Sequence, residues 1–269
     1  MRKNQLFEKL RADQVVLGLT NMYPAAGIIE GMGRGWDFIW IDGQHGEMSY
    51  DSCLHATQAC AAAGIDSLIR VPGDEYSTLG RFADLAPAAI MVPMVDTPEQ
   101  AEVIVQGLHF PPLGNRSYGG RRVIDLDGRE FYKRKLLVVV QIETLGAVER
   151  AEAIAAVEGV DVLFFGPDDM KMRMGIPINT QITDHPKLAA ALEKTVTAAS
   201  NAGGWAATVA GTPAGLEMTV EMGYRMLVGG GDIGFLRTLS ASRVSWSSRG
   251  VPGRSRHRRG RRCVLRLGS

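Results

Sequence analysis

Eight short runs of apolar residues recur along the chain, each separated from the next by a polar or amphipathic stretch. The runs are continuous rather than alternating in polarity, which is typical of parallel strands buried on both faces. The strands predicted in this way span residues 15–19, 38–41, 67–71, 89–93, 136–143, 160–165, 205–210 and 225–229.

Stretches with helical periodicity fill the intervals between these strands. The predicted helices span residues 23–31, 49–63, 76–85, 98–105, 147–156, 185–202, 212–222 and 233–242. Ser49, Thr97-Pro98 and Thr212-Pro213 are typical helix start signals. Eight β–α units favour a single (β/α)8 TIM barrel of the α/β class. A doubly wound sheet usually has fewer units and a glycine-rich first turn, which this chain lacks.

One long insertion, residues 110–135, separates the fourth unit from the fifth strand. Loops of this length in compact domains are usually functional or mobile. Its arginines at 116, 121 and 122 have two interpretations. They bind a second carboxylate of a substrate, or they belong to a solvated loop.

The net charge of +1 hides an uneven distribution. From Arg249 onward there are eight arginines and no acid, whereas the preceding residues carry 22 basic and 29 acidic side chains, a net charge of −7. We therefore predict a barrel domain over residues 1–243 and an arginine-rich, disordered tail over residues 244–269. The barrel body has no basic face that would indicate nucleic-acid binding.

Localisation is predicted from what the sequence lacks. No apolar run approaches the roughly 18–20 residues of a membrane span, and the first residues lack the apolar core of a secretion signal. The three cysteines, Cys53, Cys60 and Cys263, have neither a disulfide-framework nor a zinc-site spacing. These features predict a cytoplasmic protein with free thiols.

Polar residues follow several of the predicted strands, where barrel enzymes carry their catalytic groups. Because the carboxyl ends of all eight strands meet at one mouth, we expect these side chains to converge. They are Asp42 and His45 after the second strand, Arg70 at the third, Gln141 and Glu143 at the fifth, and Asp168 and Asp169 after the sixth.

Glu143 and Asp169 are the candidate metal ligands. Two carboxylates without a Cys or His cluster favour a hard divalent ion such as Mg²⁺ or Mn²⁺. A 2-oxo acid could chelate such an ion, which would act as a Lewis acid on the enolate formed there. Alternatively, each carboxylate caps the helix that follows its strand.

His45 is the candidate general base, since imidazole titrates near neutral pH and this one lies between glycines at a strand end. Arg70 ends an apolar strand and needs an anionic partner. That partner is a substrate or, in a structural ion pair, Asp42 or Glu143. Asp84, just before the fourth strand, either orients His45 or lies exposed at a helix end. Gly229–Gly231 forms either a phosphate site or a tight turn.

Several motifs together resemble the HpcH/HpaI aldolase family of class II pyruvate aldolases. They are D-G-x-H-G at Asp42–Gly46, R-V-P at Arg70–Pro72, VPMV at Val92–Val95, Q-I-E at Gln141–Glu143, G-P-x-D at Gly166–Asp169 and D-x-x-x-L-R at Asp232–Arg237. The resemblance covers roughly residues 5–243. It implies a (β/α)8 barrel that cleaves 4-hydroxy-2-oxo acids reversibly to pyruvate and an aldehyde.

The resemblance also implies roles for individual residues. His45 is the base and Asp84 pairs with it, while Arg70 stabilises the enolate-like transition state. Glu143 and Asp169 hold the divalent metal (Mg²⁺, Mn²⁺ or Co²⁺), and Gln141 and the backbone at Asp168 contact pyruvate. Members commonly form homohexamers, as trimers of dimers, with C-terminal helices exchanged between subunits.

This sequence departs from the family pattern at three places. Gln44 replaces the usual glutamate, Asp168 replaces a small residue, and the arginine-rich end has no counterpart. Two rival hypotheses accompany the aldolase. One is a related lyase acting on acyl-CoA esters, held by Gly229–Gly231 and the arginines of the insertion. The other is a non-catalytic barrel whose basic tail binds RNA or an acidic partner.

Overall fold

Eight parallel strands close into a barrel in chain order. The computed structural model describes residues 2–249, with side chains through Trp246. Each strand pairs with its sequence neighbours, and the eighth pairs with the first. The strands are β1 (Val16–Asn21), β2 (Phe38–Asp42), β3 (Asp66–Arg70), β4 (Ala89–Val92), β5 (Leu137–Ile142), β6 (Val162–Phe165), β7 (Trp205–Val209) and β8 (Met226–Gly231).

Helices connect the strands, with one before the first strand and one after the last. They are α1 (Gln5–Arg11), α2 (Ala26–Met32), α3 (Tyr50–Ala63), α4 (Tyr76–Ala83), α5 (Pro98–Leu108), α6 (Arg121–Asp127), α7 (Leu145–Glu149), α8 (Ala151–Ala155), α9 (Pro167–Arg173), α10 (Pro186–Asn201), α11 (Pro213–Glu221) and α12 (Asp232–Arg249). Short 3₁₀ turns occur at Phe131–Lys133 and Ile182–Asp184.

Alternate residues of each strand point into the barrel and toward the helices. In β2, Phe38 and Trp40 belong to the interior cluster, whereas Ile39 and Ile41 pack in the outer cluster with residues of the helices. Helix α1 closes the amino-terminal end of the barrel, where Leu6 and Leu10 join the interior cluster. The inward-facing residue at the end of β2 is Asp42, so the alternation itself delivers a carboxylate to the mouth.

The barrel architecture and all eight strands are confirmed, with strand ends shifted by at most two residues. The helical assignments were less accurate. The helix predicted at 147–156 is divided at Arg150 into α7 and α8, while α6 and α9 were not predicted. Helix α9 escaped prediction because its first turn, Pro-Asp-Asp, resembles a polar loop.

Helix α12 runs without interruption through position 243, where the barrel domain was predicted to end, and continues to Arg249. The compact barrel unit itself extends to Ile233, and a second unit begins at Gly234. The start of the predicted disordered tail is therefore helical. The remainder of that tail, residues 250–269, lies outside the described residues.

The two cysteines in the described part of the chain are free and buried. Burial raises the pKa of each thiol, Cys53 and Cys60, to about 12. Both are free thiols in the core, as predicted, whereas Cys263 lies outside the described residues. No helix within residues 2–249 is long and apolar enough to cross a bilayer.

Candidate active site

A buried ion pair between Asp42 and Arg70 forms the centre of the barrel mouth. The two residues are direct neighbours in the register of β2 and β3. Arg70 donates to the two Asp42 carboxylate oxygens from Nε at 2.9 Å and from Nη2 at 2.6 Å. Both side chains are buried. Of the partners considered for Arg70, the protein itself therefore supplies Asp42, in a two-pronged geometry that fixes the guanidinium plane.

Asp42 also shapes the loop that carries His45. Its Oδ1 accepts hydrogen bonds from the backbone N–H groups of Gln44 and His45, each at 3.1 Å. A Cβ at Gly46 would lie 2.4 Å from the Asp42 carbonyl oxygen, so the close turn requires glycine there. His45 is exposed at the mouth. The D-G-x-H-G motif is thus a turn built around Asp42 that presents the imidazole to solvent.

The electrostatics of Asp42 favour its ionised form. Burial raises the pKa of this carboxyl, but the Arg70 guanidinium and the N–H groups of His45 and Gln44 outweigh it and hold the pKa below its usual range. A group with a depressed folded-state pKa stabilises the fold at pH values above its unfolded pKa. This stabilisation disappears as pH falls through the folded-state pKa.

We therefore expect the stability gap between the wild type and an Asp42→Asn variant to depend on pH. The gap should be full above about pH 4, the pKa of an unfolded aspartate, and should shrink at lower pH. Urea unfolding followed between pH 2 and pH 7 measures it. A gap that widens with acidification would contradict the ionised pair.

Aromatic side chains pack against Arg70. The Arg70 guanidinium carbon lies 4.8 Å from the centroid of the Trp40 ring, and Trp40 packs edge-to-face on Phe164 at 5.2 Å. Gln141, also buried, accepts a long hydrogen bond of 3.4 Å from Arg70 Nη1. The Trp40 ring therefore packs on the guanidinium of Arg70, while Asp42 and Gln141 accept its hydrogen bonds.

Glu143 lies immediately after β5 and is 3% exposed. Its Oε2 accepts a hydrogen bond of 2.9 Å from the backbone N–H of Met94. Met94 adopts a φ of 57°, a left-handed conformation that methionine rarely takes. The helix that follows is capped by Thr144 rather than Glu143, so the capping interpretation of Glu143 is wrong.

Asp169 is in the first turn of α9, which begins directly after Gly166. A Cβ at Gly166 would lie 2.6 Å from Glu143 Cγ, so this glycine lets the α9 turn approach Glu143. Burial raises the pKa of Glu143, the Met94 N–H lowers it, and the charge of Asp169 raises it again, for a net upward shift. The two carboxylates are therefore near enough for their charges to repel each other.

This pair of carboxylates fits a hard divalent cation. One oxygen of Glu143 is committed to Met94, and the other is close to where a Cβ of Gly166 would stand. A cation between Glu143 and Asp169 would relieve their repulsion. Within residues 2–249, no group of three or more His, Cys, Asp or Glu side chains could hold a metal ion. Such a site suits an ion that keeps waters and accepts substrate oxygens.

The structure does not bring Asp84 to His45 within one chain. Helix α4 connects parallel strands and runs opposite to them, so Asp84 at its C-terminal end lies on the amino-terminal side of the barrel. There, Asp84 accepts a hydrogen bond of 2.5 Å from Arg116 Nη2. The pairing with His45 implied by the resemblance is not formed within one chain.

The insertion lies on the same amino-terminal side, because it joins the end of α5 to the start of β5. Arg122 donates to the carbonyl oxygens of Leu85 and Thr57 at 3.0 and 3.2 Å, and the exposed Arg121 pairs with Asp125. Within one chain these arginines therefore lie away from the mouth, and their binding of a substrate carboxylate stays a prediction. This location was not predicted, because sequence spacing does not indicate which end of the barrel a loop occupies.

The glycine run after the eighth predicted strand belongs to that strand. Residues Gly229–Gly231 complete β8, and a Cβ at Gly229 would lie 3.0 Å from the Trp36 ring. Asp232, which follows, is fully buried and accepts N–H bonds of 3.0 Å from Met22 and Tyr23. This end of β8 therefore fixes the loop after β1. The glycines are therefore not the tight turn considered above, and the phosphate site stays a prediction.

Two contributors to the site were missed from the sequence. Trp40 could have been found, since it lies two residues before Asp42 and must share its inward direction. The hydrogen bond from the Met94 N–H could not be predicted, because the sequence does not indicate the left-handed backbone conformation of this residue. The remaining predicted residues, His45, Arg70, Gln141, Glu143, Asp168 and Asp169, all lie at the carboxyl ends of β2, β3, β5 and β6.

Known proteins resemble this chain in sequence and in fold. Residues 25–238 match the family model described as HpcH/HpaI aldolase/citrate lyase. A 4-hydroxy-2-oxovalerate aldolase of Novosphingobium aromaticivorans is 38% identical over 154 residues, which are 54% of this chain and 57% of that protein. The match thus spans little more than half of that relative.

Two further similarities cover most of the chain. A hydroxypyruvate/pyruvate aldolase of Cupriavidus necator is 31% identical over 224 residues, 81% of this chain and 82% of the relative. The crystal structure of an HpcH/HpaI aldolase from Desulfitobacterium hafniense superposes with a TM-score of 0.81 at 30% identity. That superposition covers 92% of this chain and 98% of the other.

Proposed function

The chain belongs to the HpcH/HpaI aldolase/citrate lyase family, and from that premise we propose a divalent-metal-dependent pyruvate aldolase. It is a carbon–carbon lyase, and its reaction is the reversible cleavage of a 4-hydroxy-2-oxo acid to pyruvate and an aldehyde. One observation carries the proposal. The paired carboxylates Glu143 and Asp169 and the rigid guanidinium of Arg70 lie at the carboxyl ends of β5, β6 and β3 of one barrel.

Glu143 and Asp169 would hold the ion, with Mg²⁺, Mn²⁺ or Co²⁺ as candidates. When bound, such an ion polarises the 2-oxo group and stabilises the negative charge of an enolate. The chain's contribution is to bring both carboxylates together at the ends of the neighbouring strands β5 and β6. Gly166 permits that approach, and the Met94 N–H fixes the direction of Glu143.

Arg70 is the second stabiliser of developing charge. Asp42 occupies Nε and one N–H of Nη2, so the remaining guanidinium hydrogens can donate to the substrate's 2-oxo oxygen and carboxylate. Because Asp42, Gln141 and Trp40 hold the group in place, little reorganisation is needed as charge develops. Gln141 and the backbone N–H at Asp168 would contact the carboxylate end of pyruvate.

His45 serves as the base that removes the proton of the 4-hydroxyl group. The C3–C4 bond then breaks, its electron pair becomes the enolate of pyruvate, and the 4-carbon leaves as an aldehyde. A proton returned to C3 completes pyruvate. The exposure of His45 at the mouth gives the imidazole direct access to this hydroxyl.

The position of Asp84 supports a homo-oligomer. Asp84 and His45 lie on opposite sides of one barrel, so Asp84 can orient His45 only from a second copy of the chain. We propose this arrangement, in a homohexamer, for an enzyme of the cytoplasm. The buried, unpaired Cys53 and Cys60 suit a reducing compartment.

The test is pyruvate release from 4-hydroxy-2-oxo acids, followed with a coupled lactate dehydrogenase assay. We expect EDTA to abolish release and added Mg²⁺ or Mn²⁺ to restore it, because a site with two carboxylates cannot stabilise the enolate alone. Full activity in metal-free enzyme would contradict the proposal. An acyl-CoA ester assayed in parallel should give no cleavage, since the similar relatives are named 4-hydroxy-2-oxovalerate and hydroxypyruvate/pyruvate aldolases.

A further inference from the structure

A small cavity lies between the insertion and the amino-terminal end of the barrel. Its volume is about 50 Å³, which is room for a few water-sized groups at about 10–15 Å³ each. Its walls are the end of α4, the end of α5 and the insertion. None of the residues assigned above to the metal or to proton transfer lines it.

Two buried arginines supply the charge of this cavity. The Arg116 side chain is 6% exposed and the Arg134 side chain 8% exposed, and both line it. No carboxylate from residues 2–249 belongs to the lining, whose other walls include the rings of Phe110 and Phe131. In such surroundings a guanidinium needs anionic partners, because an unpaired buried charge is costly.

The carboxylates that pair with these two arginines do not balance their charge. Asp84 accepts the hydrogen bond from Arg116 Nη2. Asp127 lies 3.8 Å from Arg134 Nε, but it also accepts hydrogen bonds from N, Nε and Nη2 of Arg2. Three guanidinium groups thus share two carboxylates, which leaves one positive charge in excess within these ion pairs.

The titration of Arg134 shows the same imbalance. Burial lowers the pKa of its guanidinium and the charge of Arg2 lowers it further, whereas Asp127 and Asp66 raise it. The net shift of this pKa is downward, so the two carboxylates do not offset burial and the neighbouring cation. A further negative charge beside Arg134 would correct this imbalance.

Three nitrogen atoms of the lining residues are buried without a hydrogen-bond partner among the described residues. They are Nε of Arg116, Nε of Arg134 and Nε2 of His109. A neutral imidazole nitrogen carries either a hydrogen or a lone pair, so the two guanidinium Nε–H groups are the fixed donors. Buried donors in native proteins are nearly always hydrogen-bonded. These two therefore need an acceptor that the described chain does not supply.

We propose that this cavity binds one small monovalent anion, of the size of chloride, between Arg116 and Arg134. Water would accept the two Nε–H bonds, but only an anion also neutralises the excess charge. A volume of about 50 Å³ is too small for a phosphate ester or another extended anion. The bound ion ties the insertion to the barrel, because Arg134 also donates to the Pro87 carbonyl oxygen just before β4. The site is independent of the aldolase function.

Thermal unfolding of the full chain in halide salts tests the site. Tm is measured against the concentration of NaCl or NaBr, and sodium gluconate keeps the ionic strength constant, because gluconate is too large for the cavity. We expect a saturable rise in Tm of about 3–5 °C at about tenfold the Kd, since a ligand that binds only the folded state stabilises it by mass action. Crystals grown in NaBr should show an anomalous bromide peak between Arg116 and Arg134.

Two variants of the insertion separate the site from a general salt effect. Arg134→Met removes one donor and the excess charge, so its Tm should no longer rise with halide. Arg129→Met changes an exposed arginine of the insertion outside the cavity and should respond to halide like the wild type. If Arg134→Met does not fold, the wild-type Tm and the bromide peak still decide the question.

Several results would overturn the anion site. One is a Tm that rises no more in halide than in gluconate, and another is a cavity that holds only water in crystals grown in bromide. A bromide peak without the rise in Tm would be an adventitious ion only and would overturn it too. The same halide response in Arg134→Met as in the wild type would place the anion elsewhere. Because no substrate is present, none of these results bears on the aldolase function.

Discussion

Replacement of Arg70 by methionine is expected to destabilise the fold by about 3–5 kcal/mol and to lower kcat for pyruvate release by about 100- to 1000-fold. The loss of stability arises because Asp42, 1% exposed, would keep a buried charge without its guanidinium partner. The loss of rate arises because the enolate would lose a preorganised donor. Urea unfolding and the coupled pyruvate assay measure the two effects.

A second variant separates them. Asp42→Asn combined with Arg70→Met removes both charges, so most of the stability should return, since no unpaired ion is left buried. The rate should stay low, because the donor is still absent. If the double variant regained activity along with stability, Arg70 would be a structural residue only. Circular dichroism before each assay measures the folded fraction of each variant, so that rates are compared per folded enzyme.

Replacement of Glu143 by glutamine should abolish tight divalent-metal binding and lower pyruvate release at least a hundredfold. The amide retains the shape of the side chain and can still accept the Met94 N–H bond of 2.9 Å. It removes one of the two negative charges that a hard cation requires. Isothermal titration with Mn²⁺ measures the binding independently of activity.

The exposed Glu149, on α7 and outside the mouth, provides the matched control. Glu149→Gln should bind Mn²⁺ and release pyruvate like the wild type. Because an uncharged side chain relieves the repulsion between Glu143 and Asp169, Glu143→Gln should be at least as stable as the wild type. Unchanged Mn²⁺ affinity in that variant would place the metal elsewhere.

Local patterns were sufficient to predict the barrel. Continuous apolar runs report burial of both strand faces, and this requires no knowledge of distant residues. The same reasoning placed Arg70 and Glu143 at strand ends, where the structure has them. Helices α6 and α9 were missed because their polar sequences do not carry a periodic apolar face, and tertiary contacts decide their conformation.

Asp84 shows that sequence spacing does not predict which residues meet in the fold. The sequence placed it just before β4 and left open whether it reaches His45. The direction of α4 decided that it lies on the amino-terminal side, bound to Arg116. Likewise, Arg134 had no distinguishing signal in the sequence. Its partners at Asp127 and Pro87 come together only when the insertion folds onto the barrel.

The sequence by itself determined the strand number, the barrel class and the residue types at the mouth. The hydrophobic period and the order of elements along the chain can both be read directly from the sequence. Only the tertiary structure decided which of those side chains interact. The Asp42–Arg70 pair, the strained Met94 that orients Glu143, and the Arg2–Asp127 pair beside Arg134 depend on distances between segments far apart in the chain. Such distances are set by the packing of the whole barrel.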